Sequence, residues 1–303
     1  VKNWCRIAVL LLVLVAGRTV TAGTLVQFQI FFGVSNYVDE VDVELYDQDK
    51  PITVNNFIKL VRSGAYNNGF FHRCIPGFVL QGGGFTADNP FSSSIIGPPY
   101  FGLGGVPNFG LISNEFKVGT FRSNTNGTIA MAKGASPDSA SSQFFFNIAN
   151  NAAILDNTNN AGGFTVFGHI VRGVDIVDQF NSLSPGNGIV NLVNNYGTNN
   201  PLTSAFTNLP NMFVGTNAPP YYGLAYFQVN LLELQIARNP TNSARSLTWT
   251  TVFNATNVLE FSTNLPPSSW QTLSTTNGNG LPKTVIDSST NNTRRYYRVR
   301  VLF

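Results

Sequence analysis

The chain has 303 residues, 18 Lys and Arg against 15 Asp and Glu, and only 11% of its positions are charged. Asn, Ser, Thr and Gly hold the polar positions instead, which suits a folded, loop-rich, β-leaning protein of one sizeable and one smaller domain. A net charge of +3 gives no basic surface for nucleic acid, and two His without a Cys/His cluster give no zinc site.

The first segment, "VKNWCRIAVLLLVLVAGRTVTA", has a basic start (Lys2, Arg6), an apolar run and a small-residue end. This pattern predicts a secretory signal peptide over 1–22, its apolar run too short to span a membrane comfortably. An initial Val fits a non-AUG start codon and points to a bacterium, hence to a periplasmic or extracellular protein. Without this leader the chain has no net charge, and Cys74 is its only thiol, so no internal disulfide is expected.

Next, "LVQFQIFF" and "VDVELYD" alternate apolar and polar residues with strand period. In "PITVNNFIKLVRSG" the period changes: Val54, Phe57, Ile58 and Val61 fall on one helical stripe, with Thr53 as expected N-cap and Gly64 as stop. Short strands are predicted around 71–75, 78–81, 127–132, 143–147 and 165–170, then a second helix near 174–180 and a strand over 225–236. Many short strands with two or three helices predict a closed β-barrel capped by those helices.

Residues 181–224, rich in Asn, Gly, Pro and Ser, read as an insertion or extended loop. The barrel domain is thus expected over 23–237, a linker over 238–244, and a small antiparallel β-sandwich over 245–303. The last resembles immunoglobulin- or fibronectin-like modules at the ends of exported bacterial proteins. Trp249, Trp270, Tyr296 and Tyr297 are expected in its core.

One stretch, "FFHRCIPGFVLQGGGF", raises a physical question. Arg73 is the only permanent charge of this stretch, and no Asp or Glu lies within ten residues of Arg73 on either side. A guanidinium entering an apolar environment without a counter-ion costs several kcal/mol, so Arg73 faces either water or a cavity with an absent partner. If 76–78 form a three-residue hairpin loop, Arg73 and Gln81 stand opposite each other on one face. Cys74, next along the strand, then points to the core, and His72 reads as structural.

That stretch, together with "GTIAMAK", "SSQFFFNIAN" and "FTVFGHIVRGVDIVD" in the same order, resembles the cyclophilin family of peptidyl-prolyl isomerases. The resemblance implies a cyclophilin barrel that needs no cofactor or metal. It implies Arg73 as the residue acting on the prolyl amide, with Gln81 orienting it. It also implies Phe78, Val79, Phe145 and Leu155 around the proline, and Ala132 and Gln143 at the substrate main chain. Three substitutions depart from the family pattern: Val79 for Met, Ile154 for Trp or Phe, and Phe164 for His or Tyr. The last removes a polar contact to substrate, and Ile154 lowers the expectation of binding cyclosporin-like peptides. Gly84 replaces a common Asp. The partners implied are proline-containing peptides and unfolded exported proteins, handled by a monomer. The alternative is a proline-peptide binding module with weak or no turnover.

Overall fold

The computed structural model describes residues 23–33, 38–100, 102–199, 201–239, 244–251, 256–264, 270–279, 281–289 and 294–302. The expected leader (1–22) and linker residues 240–243 lie outside them. Among the described residues, no helix is long and apolar enough to cross a membrane.

Strands β1 (Leu25–Phe32) and β2 (Val38–Leu45) precede helix α1 (Pro51–Arg62). Short strands follow: β3 (Gly69–Phe70), β4 (Arg73–Ile75), β5 (Val79–Gly82), β6 (Phe85–Ala87), β7 (Leu103–Gly105), β8 (Thr128–Met131) and β9 (Phe144–Asn147). Helix α2 (Ala152–Leu155), strand β10 (Val166–Arg172) and helix α3 (Val174–Asp178) come next. Beyond them lie β11 (Ser184–Pro185), β12 (Asn187–Val190), α4 (Leu192–Tyr196), α5 (Pro201–Ala205), β13 (Leu209–Val214) and β14 (Ala225–Leu231).

The main sheet has 11 strands in the order β4-β5-β9-β8-β10-β2-β1-β14-β3-β6-β7. It closes because β3 and β4 act as one interrupted strand. Phe71 N–H donates to Ala225 O on β14 (2.9 Å), and His72 N–H donates to Gln81 O on β5 (3.0 Å). Hydrogen bonding therefore passes from β14 to β5 along residues 69–75, and the barrel expected from the strand pattern forms. Strands β6 and β7 extend it on one side.

Period-2 alternation sorts the side chains. Phe28, Phe71, Phe144, Phe146 and Phe227 are fully buried in the main core, where their rings meet edge-on or tilted. Helix α1 adds Phe57, which packs on Phe28, Phe144 and Phe167. The single-turn 3-10 helix after α3 adds Phe180 against Phe71.

Helix α1 begins two residues earlier than its expected cap. Pro51 takes the first turn, Lys50 stands at the cap without capping, and Thr53 is buried inside the helix. The orphan N–H groups of Ile52 (3.0 Å) and Thr53 (2.7 Å) instead donate to the Glu115 carboxylate, far away in sequence. The fully buried Lys50 ammonium donates to the carbonyls of Glu115 and Val118. Gly64 leaves the helix at φ +71, as the sequence suggests.

Segment 181–224 is more than a loop. Val190, Leu192, Phe206 and Leu209 are buried with Phe70, Ile96, Tyr100, Tyr221 and Tyr226 in a second core on the outside of the barrel. Its β11, β12 and β13 make a three-stranded sheet. The Asn/Gly-rich composition hid this because the apolar residues are spread over elements too short to show a period.

The strand expected over 225–236 breaks after Leu231. Residues 235–238 form β15 (Gln235–Arg238), which pairs with β16 (Arg245–Thr250). With β17 (Thr256–Ser262), β18 (Gln271–Asn277), β19 (Pro282–Asp287) and β20 (Tyr296–Leu302) they make two three-stranded antiparallel sheets, β15-β16-β19 and β18-β17-β20. Leu247, Trp249 and Leu259 form a small core with Leu273, Val285, Tyr297 and Val299 packed on it. Trp270 does not join that cluster; the Arg298 guanidinium lies 4.2 Å from its ring centre.

Two substitutions test these packing arguments. Glu115→Ala should destabilise the fold by about 2–3 kcal/mol in urea unfolding by orphaning two N–H groups, and Glu115→Gln by about half as much. Phe206→Ala should cost about 3–5 kcal/mol if 181–224 carries a true core; a loss below about 0.5 kcal/mol would mark it as a surface covering.

Candidate active site

Arg73 and Gln81 face each other directly in the β4–β5 ladder, across a hairpin whose Phe78 N–H donates to Ile75 O (2.9 Å) and whose Gly77 has φ +72. The register continues across the sheet: Gln81 pairs with Phe145, Phe145 with Ala130, and Ala130 with Val166. Residues paired in this way share a face. A single transverse row, Arg73–Gln81–Phe145–Ala130–Val166, thus faces the outer side of the barrel, where Arg73, Gln81 and Phe145 line a cleft and Ala130 and Val166 are buried in the apolar cluster with Phe145. Their sequence neighbours Cys74, Leu80, Phe144, Phe146, Ile129 and Phe167 fill the interior.

The cleft holds about 520 Å³. Every residue named from the sequence lines it: Arg73, Phe78, Val79, Gln81, Ala132, Gln143, Phe145, Ile154, Leu155 and Phe164. Val79, Phe145 and Leu155 are buried in one apolar cluster, with Phe78, Ala132 and Phe164 packed on it. Phe145 and Phe164 meet edge to face at 6.0 Å. Ile154 stands on the rim, 55% exposed. Lys133, Gly134, Ser139, Ser141 and Asn160 complete the lining. The sequence reading missed these five, which lie in or beside quoted motifs but have no periodicity or chemistry to mark them. Among the described residues, none of 181–224 lines the cleft.

The polar groups are aligned by their hydrogen-bonding capacities. A guanidinium can only donate, so Gln81 presents Oε1 to Arg73 Nη1, 3.4 Å away, and its Nε2 donates to Gln143 Oε1 at 2.8 Å. Gln143 O also accepts from Ala132 N–H (2.9 Å), fixing the far wall. Arg73 is half-buried, burial holds its pKa below the ordinary arginine value, and among the described residues it has no carboxylate within ion-pair distance.

Cys74, fully buried, has its thiol pKa pushed up to about 12 by burial, so it stays protonated. Beside it His72 is buried, with Nδ1 unpartnered. Burial, then the Arg73 charge, push its pKa down to about 4, against a hydrogen bond with Gln143. Among the described residues no group of His, Cys, Asp and Glu could hold a metal ion. What remains, among the described residues, is a cleft with an apolar wall and an aimed guanidinium, Arg73, that no carboxylate compensates.

His72 makes a pH prediction. It is neutral in the fold down to about pH 4 but titrates near 6.5 when unfolded. The unfolded chain binds the extra proton between these values, so the His72 contribution is intact above pH 6.5 and falls as pH drops toward 4. The full loss is about 3 kcal/mol. Unfolding curves from pH 7 to 4 should show that slope in the natural protein and a shallower one in His72→Gln; equal slopes would remove His72 as its source.

Comparison with known proteins identifies the family. The family described as "Cyclophilin type peptidyl-prolyl cis-trans isomerase/CLD" matches residues 31–198. The chain is 39% identical over 147 residues to peptidyl-prolyl cis-trans isomerase A of Dickeya dadantii, covering 48% of this chain and 68% of that one. It is 36% identical over 174 residues to a peptidyl-prolyl cis-trans isomerase of Acinetobacter baylyi, covering 57% and 80%. To peptidyl-prolyl cis-trans isomerase B of Escherichia coli it is 35% identical over 153 residues, covering 48% and 81%. The chain belongs to the cyclophilin-type peptidyl-prolyl cis-trans isomerases.

Proposed function

We propose that this isomerase acts on exported polypeptides and lowers the rotational barrier by donating a hydrogen bond from Arg73 to the twisted prolyl amide. The observation that carries the mechanism is the half-buried Arg73, held by Gln81 in an apolar cleft and without a carboxylate partner.

Rotation about a peptide C–N bond faces a barrier of about 18–20 kcal/mol from amide resonance, and X-Pro bonds exchange over tens to hundreds of seconds. No bond is broken, so neither nucleophile nor base is required. Rate is gained by binding the twisted amide more tightly than either planar isomer. At the twist the proline nitrogen regains its lone pair and becomes an acceptor. A fixed guanidinium meets it without reorganising, where little water competes. Phe78, Val79, Phe145, Leu155 and Phe164 hold the ring, while Gln143 and Ala132 hold the substrate backbone.

For the chain as a whole, we propose an exported, monomeric protein with an isomerase domain followed by an accessory β-sandwich; the boundary expected at 237 moves back to 232–234, because β15 (Gln235–Arg238) pairs with β16. The signal-like pattern of 1–22 supports export, and the two small sheets with their shared core support the module.

The test is a coupled prolyl-isomerisation assay on the full chain. Arg73→Ala should lose about 100-fold or more of kcat/KM, and Arg73→Lys should recover little, because a point charge lacks the planar fork. Proline-peptide binding with rates equal to buffer would favour the binding-module alternative. Full activity in Arg73→Ala would overturn the mechanism.

A further inference from the structure

Lys133 closes the motif "GTIAMAK" two residues beyond β8, and its ammonium is completely engaged. Nζ donates to Ala161 O (2.5 Å), Gly163 O (2.7 Å) and Pro137 O (3.4 Å), which uses all three of its donors. It also lies 5.1 Å from the centre of the Phe164 ring. The acceptors come from an unusual turn. Ala161, Gly162 and Gly163 have φ of +50, +79 and +79, so three consecutive residues are left-handed and one of them is not glycine. A left-handed alanine is strained and persists only where its surroundings enforce it.

That turn runs directly into Phe164. Phe164 N–H donates to Leu155 O (2.9 Å), its carbonyl accepts from Asn124 Nδ2 (3.0 Å), and its ring meets Phe145. Asn114 Nδ2 claims the Gly162 and Gly163 carbonyls from the other side (3.1 and 3.2 Å). Removing the Lys133 ammonium would leave Ala161 O without that donor and the Phe164 ring without its cation. The backbone of Phe164 is anchored by its bonds to Leu155 and Asn124, but its ring has no polar atom of its own and depends on the packing around it.

We propose that Lys133 is a positioning residue for the proline pocket: it bolts the left-handed 161–163 turn to β8 and so holds the Phe164 ring against Phe145 and Leu155. This rests on the reading that the cleft receives proline. Lys133 acts on the apolar wall and not on Arg73, so its loss weakens substrate binding rather than the rotation step.

The experiment compares Lys133→Met, which keeps the stem, with Lys133→Arg, which keeps the charge, in the full-length protein. Lys133→Met should raise KM by about tenfold with kcat little changed, and Lys133→Arg should restore most of the difference. Burial holds the Lys133 pKa below the ordinary lysine value, opposed by the nearby Asp138 charge. In the natural protein KM should therefore climb toward the Lys133→Met value as pH approaches the ordinary lysine range, while Lys133→Met stays flat.

An independent readout needs no substrate: the NMR methyl resonances of Leu155, shifted by the aromatic rings, should move in Lys133→Met and stay in place in Arg73→Ala. Unmoved Leu155 methyls, or a fall in kcat at constant KM, would overturn the proposal. If the natural protein neither isomerises nor binds a proline peptide, the functional reading fails, and the methyl shift still decides whether Lys133 holds the wall.

Discussion

The backbone at Phe71 and His72 changes partners within two residues, from Ala225 on β14 to Gln81 on β5. Everything functional follows from that exchange. It closes the barrel, so the phenylalanine-rich interior is sealed, and it starts β4 in a register that sets Arg73 opposite Gln81. Such an exchange needs close packing behind it. Phe227 fills the space where a Cβ on Gly69 or Gly82 would stand, 2.8 and 2.7 Å from its ring atoms. Two glycines and one aromatic ring thus let the strand pass at the depth the closure requires. A slip of one residue would turn Arg73 inward and Cys74 outward.

Three other half-buried guanidiniums are treated differently from Arg73. Arg172 donates to both Asp42 (2.6 Å) and Glu40 (2.9 Å), and Arg122 Nε donates to Asp49 at 3.0 Å. Arg295 donates to Asp287 at 2.9 Å. Among the described residues these three half-buried arginines are thus neutralised by carboxylates, whereas Arg245, like Arg73, has no ion pair. Arg73 receives an amide oxygen instead, which fixes its direction without cancelling its charge. That combination suits a donor whose proper acceptor exists only while a substrate amide is twisted.

Much of this was legible from the residues. The strand alternation that sends Phe144 and Phe146 inward and Phe145 outward is written in "QFFFN", and the hairpin pairing of Arg73 with Gln81 follows from the length of "IPGFV". The features that escaped are those made by distant partners. The cap of α1 comes from Glu115, which no local pattern around Thr53 could reveal. The role of Lys133 escaped because its acceptors are backbone carbonyls, and these carry no sequence identity. The second core eluded periodicity because Leu192 and Tyr221 lie on separate short elements and Phe206 in the turn after α5.

That second core also bears on the site without entering it. Cys74 N–H donates to Asn208 O (2.8 Å), so the 181–224 segment covers the outer edge of the strand carrying Arg73. Asn181 reaches the hairpin tip: its Oδ1 accepts from Gly77 N–H and its Nδ2 donates to Ile148 O, both at 2.8 Å. A two-stranded hairpin at a sheet edge is marginally stable alone and prone to fray. Bracing it from the side away from the cleft limits that motion while leaving the pocket open to a polypeptide. Electrostatic assistance to a twisted amide depends on a donor that is already aimed, so the segment's contribution to the chemistry is stiffness in the Arg73 strand rather than contact with substrate.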